Sequence, residues 1–253
     1  MEYVLITGGT SGIGFELARN FARDGCNVVI VSSSSESLHN AKQKLEDEFK
    51  TTVFTYQQDM GKIGAATEIY NWTKESNLRI SILVNNAGIG LAGATDKIHL
   101  KKDESMMVLN IINLVELCKL YISDMYGQGK GKILNVSSTG AFQPGPYTST
   151  YFASKAFVLS YSRAIRYEAK KKGVQVSVLC PGATKTNFFI REEKETPRGA
   201  MAAEEVARFA YKGFMKNKEI IVPGFINRIK NCFPVKLKMI AVAKMKNKLN
   251  AKI

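Results

Sequence analysis

Short apolar runs recur along the chain, and between them the apolar residues fall at helical spacing. Runs of this kind, bounded by glycine, serine or proline turns, are typical of parallel strands that are buried on both faces. The predicted strands cover residues 3–6, 27–31, 52–57, 80–84, 132–136, 174–179 and 219–222. The main predicted helices cover residues 15–22, 36–49, 63–75 and 105–125 and a segment from Tyr151 onwards.

This alternation of strands and helices predicts an α/β fold in which a doubly wound parallel sheet of about seven strands is flanked by helices. The chain shows no internal repeat, no low-complexity linker and no shift of composition that marks a domain boundary. Residues 1–253 are therefore interpreted as one domain, with a basic helical extension over residues 225–253.

A glycine-rich turn joins the first strand to the first helix and reads Thr7-Gly8-Gly9-Thr10-Ser11-Gly12-Ile13-Gly14. Glycines there allow a tight turn and let backbone amides approach a phosphate at the helix N-terminus. The same cluster alone would also fit a plain strand-to-helix turn. Its place between a buried strand and an amphipathic helix favours a phosphate site.

Serines follow the second strand, where a dinucleotide-binding fold places the adenosine ribose. An acidic residue there would bind the 2′-hydroxyl and repel a 2′-phosphate, and none occurs before Glu36. Ser32, Ser33 and Ser34 could donate hydrogen bonds to a 2′-phosphate, although no arginine accompanies them. The pattern favours NADP(H) over NAD(H), but it also fits a flexible polar turn.

Tyr151 and Lys155 are four residues apart at the start of a predicted helix and share one helical face. A free tyrosine has a pKa near 10, and a nearby ammonium favours the phenolate and lowers that pKa toward the working range. Ser138 ends the fifth strand with a hydroxyl that could hold a carbonyl oxygen. Together these residues could move a proton to or from a ketone or alcohol oxygen, although a Tyr–Lys pair alone is a frequent accident.

Composition narrows the possible classes of protein. The 45% hydrophobic content suits a buried core, and no apolar run approaches the roughly 18 residues of a membrane-spanning helix. Four scattered cysteines and two histidines predict no metal site. Met1 and Glu2 lead directly into a strand without the features of a signal peptide, so a cytoplasmic protein with reduced thiols is expected.

These motifs, in this order, closely resemble the short-chain dehydrogenase/reductase family over nearly the whole chain, and the resemblance implies a Rossmann-type fold. The glycine turn resembles the family's cofactor motif. The family's segment beside the cofactor is matched by Asn85-Asn86-Ala87-Gly88. The start of the segment that holds the nicotinamide carboxamide is matched by Pro181-Gly182. The catalytic tetrad implied by the resemblance is Asn110, Ser138, Tyr151 and Lys155. The implied cofactor-binding residues are Gly8, Thr10, Ser11, Gly12, Ile13, Gly14, Ser32, Ser33, Ser34, Asp59, Met60, Asn86, Ala87, Gly88, Tyr151, Lys155, Pro181, Gly182, Thr184 and Thr186.

The resemblance implies a role for each tetrad residue. Tyr151 would donate or accept the proton, while Lys155 would lower the pKa of Tyr151 and bind the nicotinamide ribose. Ser138 would orient the substrate oxygen and stabilise charge on it. Asn110 would hold a water that links Lys155 to solvent, although a satisfied core amide is the simpler reading of that asparagine. The chain departs from the family only around Ser11, Ser32 and Ser33, where members usually carry the basic or acidic residue that selects NADP or NAD.

The substrate is expected to be a small hydrophobic ketone or secondary alcohol, such as a hydroxysteroid, a bile acid or a 3-oxoacyl compound. The predicted substrate-binding residues are Ser138, Gln143, Tyr147 and Phe188. Residues 184–200 are interpreted as a lid with an apolar inner surface, formed by residues 188–190, and a charged run at 191–195, although its aromatic residues could simply pack on the core.

The net charge of +14 is concentrated at the C-terminus, since Lys212–Ile253 contains eleven Lys or Arg and one acidic residue. A basic amphipathic helix can lie on an anionic membrane surface. A solvated lysine face on a helix packed against its own domain or a dimer mate is favoured here, and nucleic-acid binding is not expected. The alternative function is a cofactor-binding interaction protein whose tail docks on a membrane or partner. A homodimer or homotetramer is also expected.

Overall fold

A seven-stranded parallel sheet forms the centre of the fold, as predicted. The computed structural model describes residues 2–186, 188, 197 and 199–250. The strands are β1 (Tyr3–Thr7), β2 (Asn27–Ser32), β3 (Val53–Gln57), β4 (Ile80–Asn85), β5 (Gly131–Val136), β6 (Val174–Leu179), β7 (Thr184–Lys185), β8 (Met201–Ala202) and β9 (Ile220–Ile221). The main sheet has the order β3-β2-β1-β4-β5-β6-β9, and β7 pairs with β8 separately.

Helices cover both faces of the sheet. They are α1 (Gly12–Arg23), α2 (Ser35–Glu48), α3 (Ala65–Glu75), α4 (Leu100–Met107), α5 (Asn113–Gln128), α6 (Ser149–Lys170), α7 (Ala203–Met215), α8 (Phe225–Asn231) and α9 (Val235–Asn250). A π-helical turn, Val108–Ile112, joins α4 to α5, and a 3₁₀ turn, Thr139–Phe142, follows β5.

Two apolar layers explain why the strands are continuous apolar runs. In β2, Val29 and Val31 pack under α3 and α5, while Val28 and Ile30 pack under α1, α2 and α7. Because successive side chains point to opposite faces, a strand covered by helices on both sides is mostly apolar, and polar exceptions such as Asn85, Asn135 and Ser177 are buried.

The order of the strands places a crevice above β1 and β4. β1 pairs with β2 on one side and with β4 on the other, both in parallel. The connections therefore leave in opposite directions from the carboxyl ends of these two strands, which is the point where ligands bind in open α/β sheets. The glycine turn and the Asn85–Gly88 segment both lie at this edge.

The structure corrects the sequence prediction in several details. β9 contains only Ile220 and Ile221, although a strand over residues 219–222 was predicted, and the β7–β8 pair was not predicted. A two-residue ladder has no run of alternating or apolar positions, so its sequence leaves no signal. The helix predicted over residues 105–125 extends from Leu100 to Gln128 across the π-helical turn.

The stretch Leu100–Gln128 is also the one described helix that is long and apolar enough to cross a membrane, contrary to the expectation from apolar runs. The apolar side of this helix packs inside the protein, where it buries four large residues against the sheet: Leu114, Leu117, Tyr121 and Met125. A helix that packs in this way has the composition of a core helix.

A buried asparagine anchors the loop after β3 to α5. Asn113 accepts a hydrogen bond from the Ala66 amide at 3.1 Å and donates to the carbonyls of Met60 at 2.7 Å and Lys62 at 2.8 Å. The side chain is fully buried, so its loss would leave these backbone groups without water or another partner.

We expect Asn113→Ala to lower the free energy of unfolding by about 2–4 kcal/mol, since three buried backbone groups lose their partner. Urea unfolding followed by circular dichroism measures this loss. Asn40→Ala is the matched control, because Asn40 is exposed on α2. A loss no larger than that of the control would mean that Asn113 does not anchor the loop.

Candidate active site

The glycines of the turn between β1 and α1 have no room for a side chain. Gly8 and Gly12 have φ angles of 64° and 56°, in the left-handed region. At Gly14 a Cβ atom would stand 2.3 Å from the carbonyl oxygen of Gly8 and 2.4 Å from Nδ2 of Asn86. The turn therefore presents bare backbone to the crevice.

Asn86 fastens this turn to the end of β4. Its Nδ2 donates to the carbonyls of Thr7 and Gly8, each at 3.0 Å. In return, Thr7 Oγ1 accepts from the amides of Asn86 at 3.1 Å and Ala87 at 3.0 Å. Two neighbouring strand ends are thus held together at the crevice.

The N-terminus of α1 fits a phosphate group. Ser11 is the N-cap residue, and its side chain makes no capping hydrogen bond. The first amides of a helix have no partner within the helix, and they carry the positive end of its dipole. Gly12 and Gly14 carry no side chain of their own, although Thr186 and Asn86 lie beside them, so the pyrophosphate of a dinucleotide cofactor could reach the amides of residues 12–14.

The serines after β2 lie where the sequence predicted. Thr10 Oγ1 is 3.3 Å from Ser32 Oγ, which joins the glycine turn to the β2 end. Ser34 caps α2 by accepting from the Ser37 amide, whereas Ser33 is exposed. Ser32 is therefore the serine that faces the glycine turn, while the side chain of Ser34 caps the N-terminus of α2.

Asp59 and Met60 follow β3 on the other side of this region. Asp59 is exposed, and its Oδ1 accepts from the Gly61 amide at 2.9 Å. Met60 is buried, and its carbonyl accepts from Asn113. The Asp59 carboxylate therefore stabilises the turn of this loop at an exposed position.

Tyr151 and Lys155 lie on one face of α6, as predicted. Lys155 Nζ is 5.9 Å from the centroid of the Tyr151 ring and donates to the Val136 carbonyl at 3.1 Å. A Cβ atom on Gly88 would stand 3.0 Å from Lys155 Nζ. The absence of a side chain at Gly88 thus lets the ammonium sit against the segment after β4.

Burial lowers the pKa of Lys155 from 10.5 to about 8, because the ammonium loses its hydration. The side chain is 4% exposed. Within the described part of the chain no carboxylate offsets this charge. The site therefore favours an anion, or an oxygen that becomes one, close to Lys155.

Asn110 makes the hydrogen bonds expected of a satisfied core amide. Its Oδ1 accepts from the Ile89 amide at 3.1 Å, and its Nδ2 donates to the Ile89 carbonyl at 2.9 Å and to Ser154 Oγ at 3.1 Å. The amide is fully buried in the π-helical turn. It clamps the loop after β4, and the water relay stays a prediction.

Ser138 lies two residues after the end of β5, and the amide of the next residue, Thr139, donates to the Pro181 carbonyl after β6. Ser138 Oγ accepts from the Gly140 amide at 3.0 Å, so its hydroxyl hydrogen is free to face the crevice. The neighbouring Ser137 donates to the Lys155 carbonyl at 2.6 Å. The strand end and the helix that carries Lys155 are thereby held at a fixed distance.

The segment after β6 reaches the glycine turn. A Cβ atom on Gly12 would stand 2.8 Å from Cγ2 of Thr186, while Thr184 Oγ1 donates to the Gly182 carbonyl at 3.0 Å. The carbonyl of Pro181 accepts from the Thr139 amide. Residues 181–186 thus bridge the crevice from the Ser138 side to the phosphate side.

Of the predicted substrate residues, Phe188 lies beside Tyr151, with the two ring centroids 5.6 Å apart. Gln143 Oε1 is buried without a hydrogen-bond partner in the described chain, so it could accept from a substrate hydroxyl. Tyr147 has a φ of 61°, and its carbonyl accepts from the Gly93 amide, which ties the loop after β5 to the loop after β4. Most of the predicted lid, including residues 189–196, lies outside the described residues.

Sequence reasoning missed the residues that hold the site together. Asn113, Ser154 and Asn227 make buried or half-buried hydrogen bonds from helices. An isolated polar residue on the apolar side of a helix is the signal that could have identified Asn113. Nothing in the sequence says which loop such a residue contacts.

The chain is similar to known proteins over most of its length. The family model for short chain dehydrogenases matches residues 2–197. Very-long-chain 3-oxoacyl-CoA reductase-A of Danio rerio is 32% identical over 211 residues, covering 80% of this chain and 66% of the relative. The 17-beta-hydroxysteroid dehydrogenase type 3 of Homo sapiens is 36% identical over 194 residues, covering 73% of this chain and 60% of the relative. The matched part therefore spans less than two thirds of these relatives.

A solved structure agrees over the full length. The short-chain dehydrogenase from Sphingobium yanoikuyae, in complex with NADPH, superposes with a TM-score of 0.85 at 29% identity, covering 100% of this chain and 96% of that chain. The sheet order, the glycine turn and the family match over residues 2–197 lead to one conclusion. The chain belongs to the short-chain dehydrogenase/reductase family.

Proposed function

We propose that this chain is an NADP(H)-dependent oxidoreductase that interconverts a ketone and a secondary alcohol on a hydrophobic substrate. The observation that carries the proposal is the buried Lys155 ammonium beside Tyr151, at the edge of a crevice whose other side is a bare glycine turn. A basic group without a carboxylate partner is suited to an active site rather than to a structural ion pair.

Proton transfer is assigned to Tyr151. The Lys155 charge favours the phenolate, so the hydroxyl can give its proton to a carbonyl oxygen or take one from an alcohol. Ser138, whose Oγ already accepts from Gly140, can donate its hydrogen to the same substrate oxygen. This hydrogen bond strengthens as negative charge develops on the oxygen.

The nicotinamide cofactor would supply or accept the hydride. The chain would hold its pyrophosphate on the amides at the start of α1 and its adenosine ribose beside Ser32 and Thr10. Lys155 would donate to the nicotinamide ribose, and residues 181–186 would cover the ring. The preference for NADP(H) rests on the lack of an acidic residue after β2.

A bulky, apolar carbonyl compound is the substrate class that the site favours. Phe188 and Tyr151 form an aromatic wall, and Gln143 adds one unpaired acceptor. The relatives are named for very-long-chain 3-oxoacyl-CoA and 17-beta-hydroxysteroids, which are both large ketones or alcohols. A panel of ketosteroids and long-chain 3-oxoacyl compounds, followed by NADPH absorbance, tests this class. Turnover of small polar ketones alone would contradict it.

We expect Tyr151→Phe to reduce turnover by roughly 10²- to 10⁴-fold, because the proton donor is lost while the ring remains. NADPH affinity, measured by nucleotide fluorescence, should stay unchanged. Tyr167→Phe is the matched control, since Tyr167 is exposed on the same helix. Full activity of Tyr151→Phe would refute proton transfer by this hydroxyl.

We expect Lys155→Met to abolish turnover and yet to stabilise the cofactor-free protein by about 1–3 kcal/mol near pH 7. The folded-state pKa of Lys155 is about 8 and its ordinary value is 10.5, so the folded chain binds fewer protons between these values. Wild-type stability therefore rises with pH through this window, and the advantage of the variant shrinks.

Urea unfolding at several pH values measures this difference. Lys170→Met is the control, because Lys170 is exposed on the same helix. A stability gain that did not change with pH, or a loss at every pH, would show that burial of the Lys155 charge is not costly.

We expect Ser32→Asp to weaken NADPH binding relative to NADH by roughly tenfold or more, because a carboxylate repels a 2′-phosphate and accepts from a 2′-hydroxyl. Fluorescence titration with both nucleotides gives the ratio. Ser160→Asp adds the same charge at an exposed position of α6 and should leave the ratio unchanged. An unaltered ratio in Ser32→Asp would mean that Ser32 does not face the ribose.

A further inference from the structure

The helix α8 presents its apolar side to solvent. Phe225 and Ile226 are 70% and 66% exposed, and no residue of α8 is buried. Phe225 and Ile229 are four residues apart and therefore lie on one side of the helix, and exposed Phe233 follows two residues after the helix ends. An isolated helix of a folded domain normally turns such an apolar side inward.

The polar side of α8 is the side that contacts the domain. Asn227 Nδ2 donates to the Pro223 carbonyl at 2.8 Å, and a Cβ atom on Gly182 would stand 2.5 Å from this nitrogen. Arg228 lies 5.2 Å from the centroid of the Phe209 ring. These contacts fix the orientation of α8, so that the apolar side cannot simply rotate inward.

Exposed apolar residues continue beyond α8 into the start of α9. We define the C-terminal apolar surface as Phe225, Ile226, Ile229, Phe233, Val235 and Leu237, all of which are exposed. Large exposed apolar patches on a monomer often have a binding role, and six exposed apolar side chains follow closely on one another here.

Positive charge surrounds this surface. Lys230 and Lys236 are exposed beside it, and the sequence contains no acidic residue after Glu219. Between Phe225 and Ile253 there are eight Lys or Arg. The partner must therefore offer both apolar material and negative charge.

The surface adjoins the candidate active site. Lys238 Nζ donates to the Phe142 carbonyl at 3.1 Å and to the Asn231 carbonyl at 3.3 Å. Phe142 ends the 3₁₀ turn that begins next to Ser138. The two C-terminal helices are thereby tied to the substrate side of the crevice rather than to the opposite end of the sheet.

These features favour a lipid surface over other partners. A second copy of the chain would bring like charges together and lose stability. Nucleic acid offers phosphates but little apolar surface to cover exposed phenylalanine and isoleucine side chains. The boundary between headgroups and acyl chains in an anionic bilayer satisfies both requirements, with side chains inserted and lysines at the headgroups.

We propose that the C-terminal apolar surface binds the interface of a bilayer that contains anionic lipid. The binding does not depend on the proposed reaction, since it uses neither Tyr151 nor Lys155. It does bring the substrate side of the crevice to the lipid, where a hydrophobic ketone would be concentrated.

Cosedimentation of the full chain with vesicles tests the proposal. Vesicles of phosphatidylcholine alone are compared with vesicles of phosphatidylcholine and phosphatidylserine. We expect binding only to the mixed vesicles and a weakening as salt is raised. The double variant F225S/F233S should lower the partition coefficient by about tenfold or more, and K230Q/K236Q by about tenfold.

Matched controls are available on the same chain. I63S/L100S removes two apolar side chains that are exposed elsewhere, and K170Q/K172Q removes two exposed lysines of the same type. Both should bind vesicles as the wild type does. Thermal unfolding should be unchanged in F225S/F233S and K230Q/K236Q, because every altered side chain is exposed.

Three results would overturn the proposal. The first is no binding to the mixed vesicles. The second is binding that F225S/F233S leaves unchanged, which would mean that the lysines attract anions without insertion. The third is self-association in vesicle-free solution that F225S/F233S abolishes, which would assign the surface to a second copy. NADPH oxidation with a water-soluble ketone, measured in parallel without vesicles, reports on the proposed reaction separately.

Discussion

Burial of the Lys155 ammonium is the constraint on which the candidate site depends. Charge without hydration destabilises the folded state, and the Val136 carbonyl offsets only part of this cost. The surrounding structure accommodates the charge in two ways: a glycine leaves space beside the ammonium, and hydrogen bonds hold the neighbouring backbone in place. Gly88 leaves room for the ammonium, and Ser137 holds the helix that carries it against the end of β5.

The same segment connects this charge to the phosphate side of the crevice. Asn86 binds the glycine turn, and Gly88 lies against Lys155. Both the amide and the carbonyl of Ile89 are hydrogen-bonded to the side chain of Asn110. Four consecutive residues therefore relate the position of a bound dinucleotide to the position of the proton donor. A shift of this segment would change both at once, which explains why buried amides rather than flexible charged side chains hold it.

Sequence alone predicted the sheet and the shared helical face of Tyr151 and Lys155, because both have local signals, while the roles of the site residues stay predictions. Apolar runs mark buried strands, glycines mark the phosphate turn, and a four-residue spacing puts Tyr151 and Lys155 on one face. The pair β7–β8, the clamp by Asn113 and the outward apolar side of α8 depend on contacts between distant segments, so local patterns could not predict them. The cytoplasmic location, the oligomeric state and the water relay at Asn110 stay predictions from the sequence.

The central proposal is that hydride passes in this crevice between a nicotinamide and a hydrophobic carbonyl compound. Tyr151 transfers the proton, and the charge of Lys155 favours the phenolate form of this tyrosine. The most direct measurement uses NADPH that carries deuterium as its transferable hydride, a panel of bulky ketones, and mass spectrometry of the alcohols formed. The account predicts deuterated alcohol with the wild type and none with Lys155→Met. NADPH binding without deuterium in any product, or equal transfer by the variant, would contradict it.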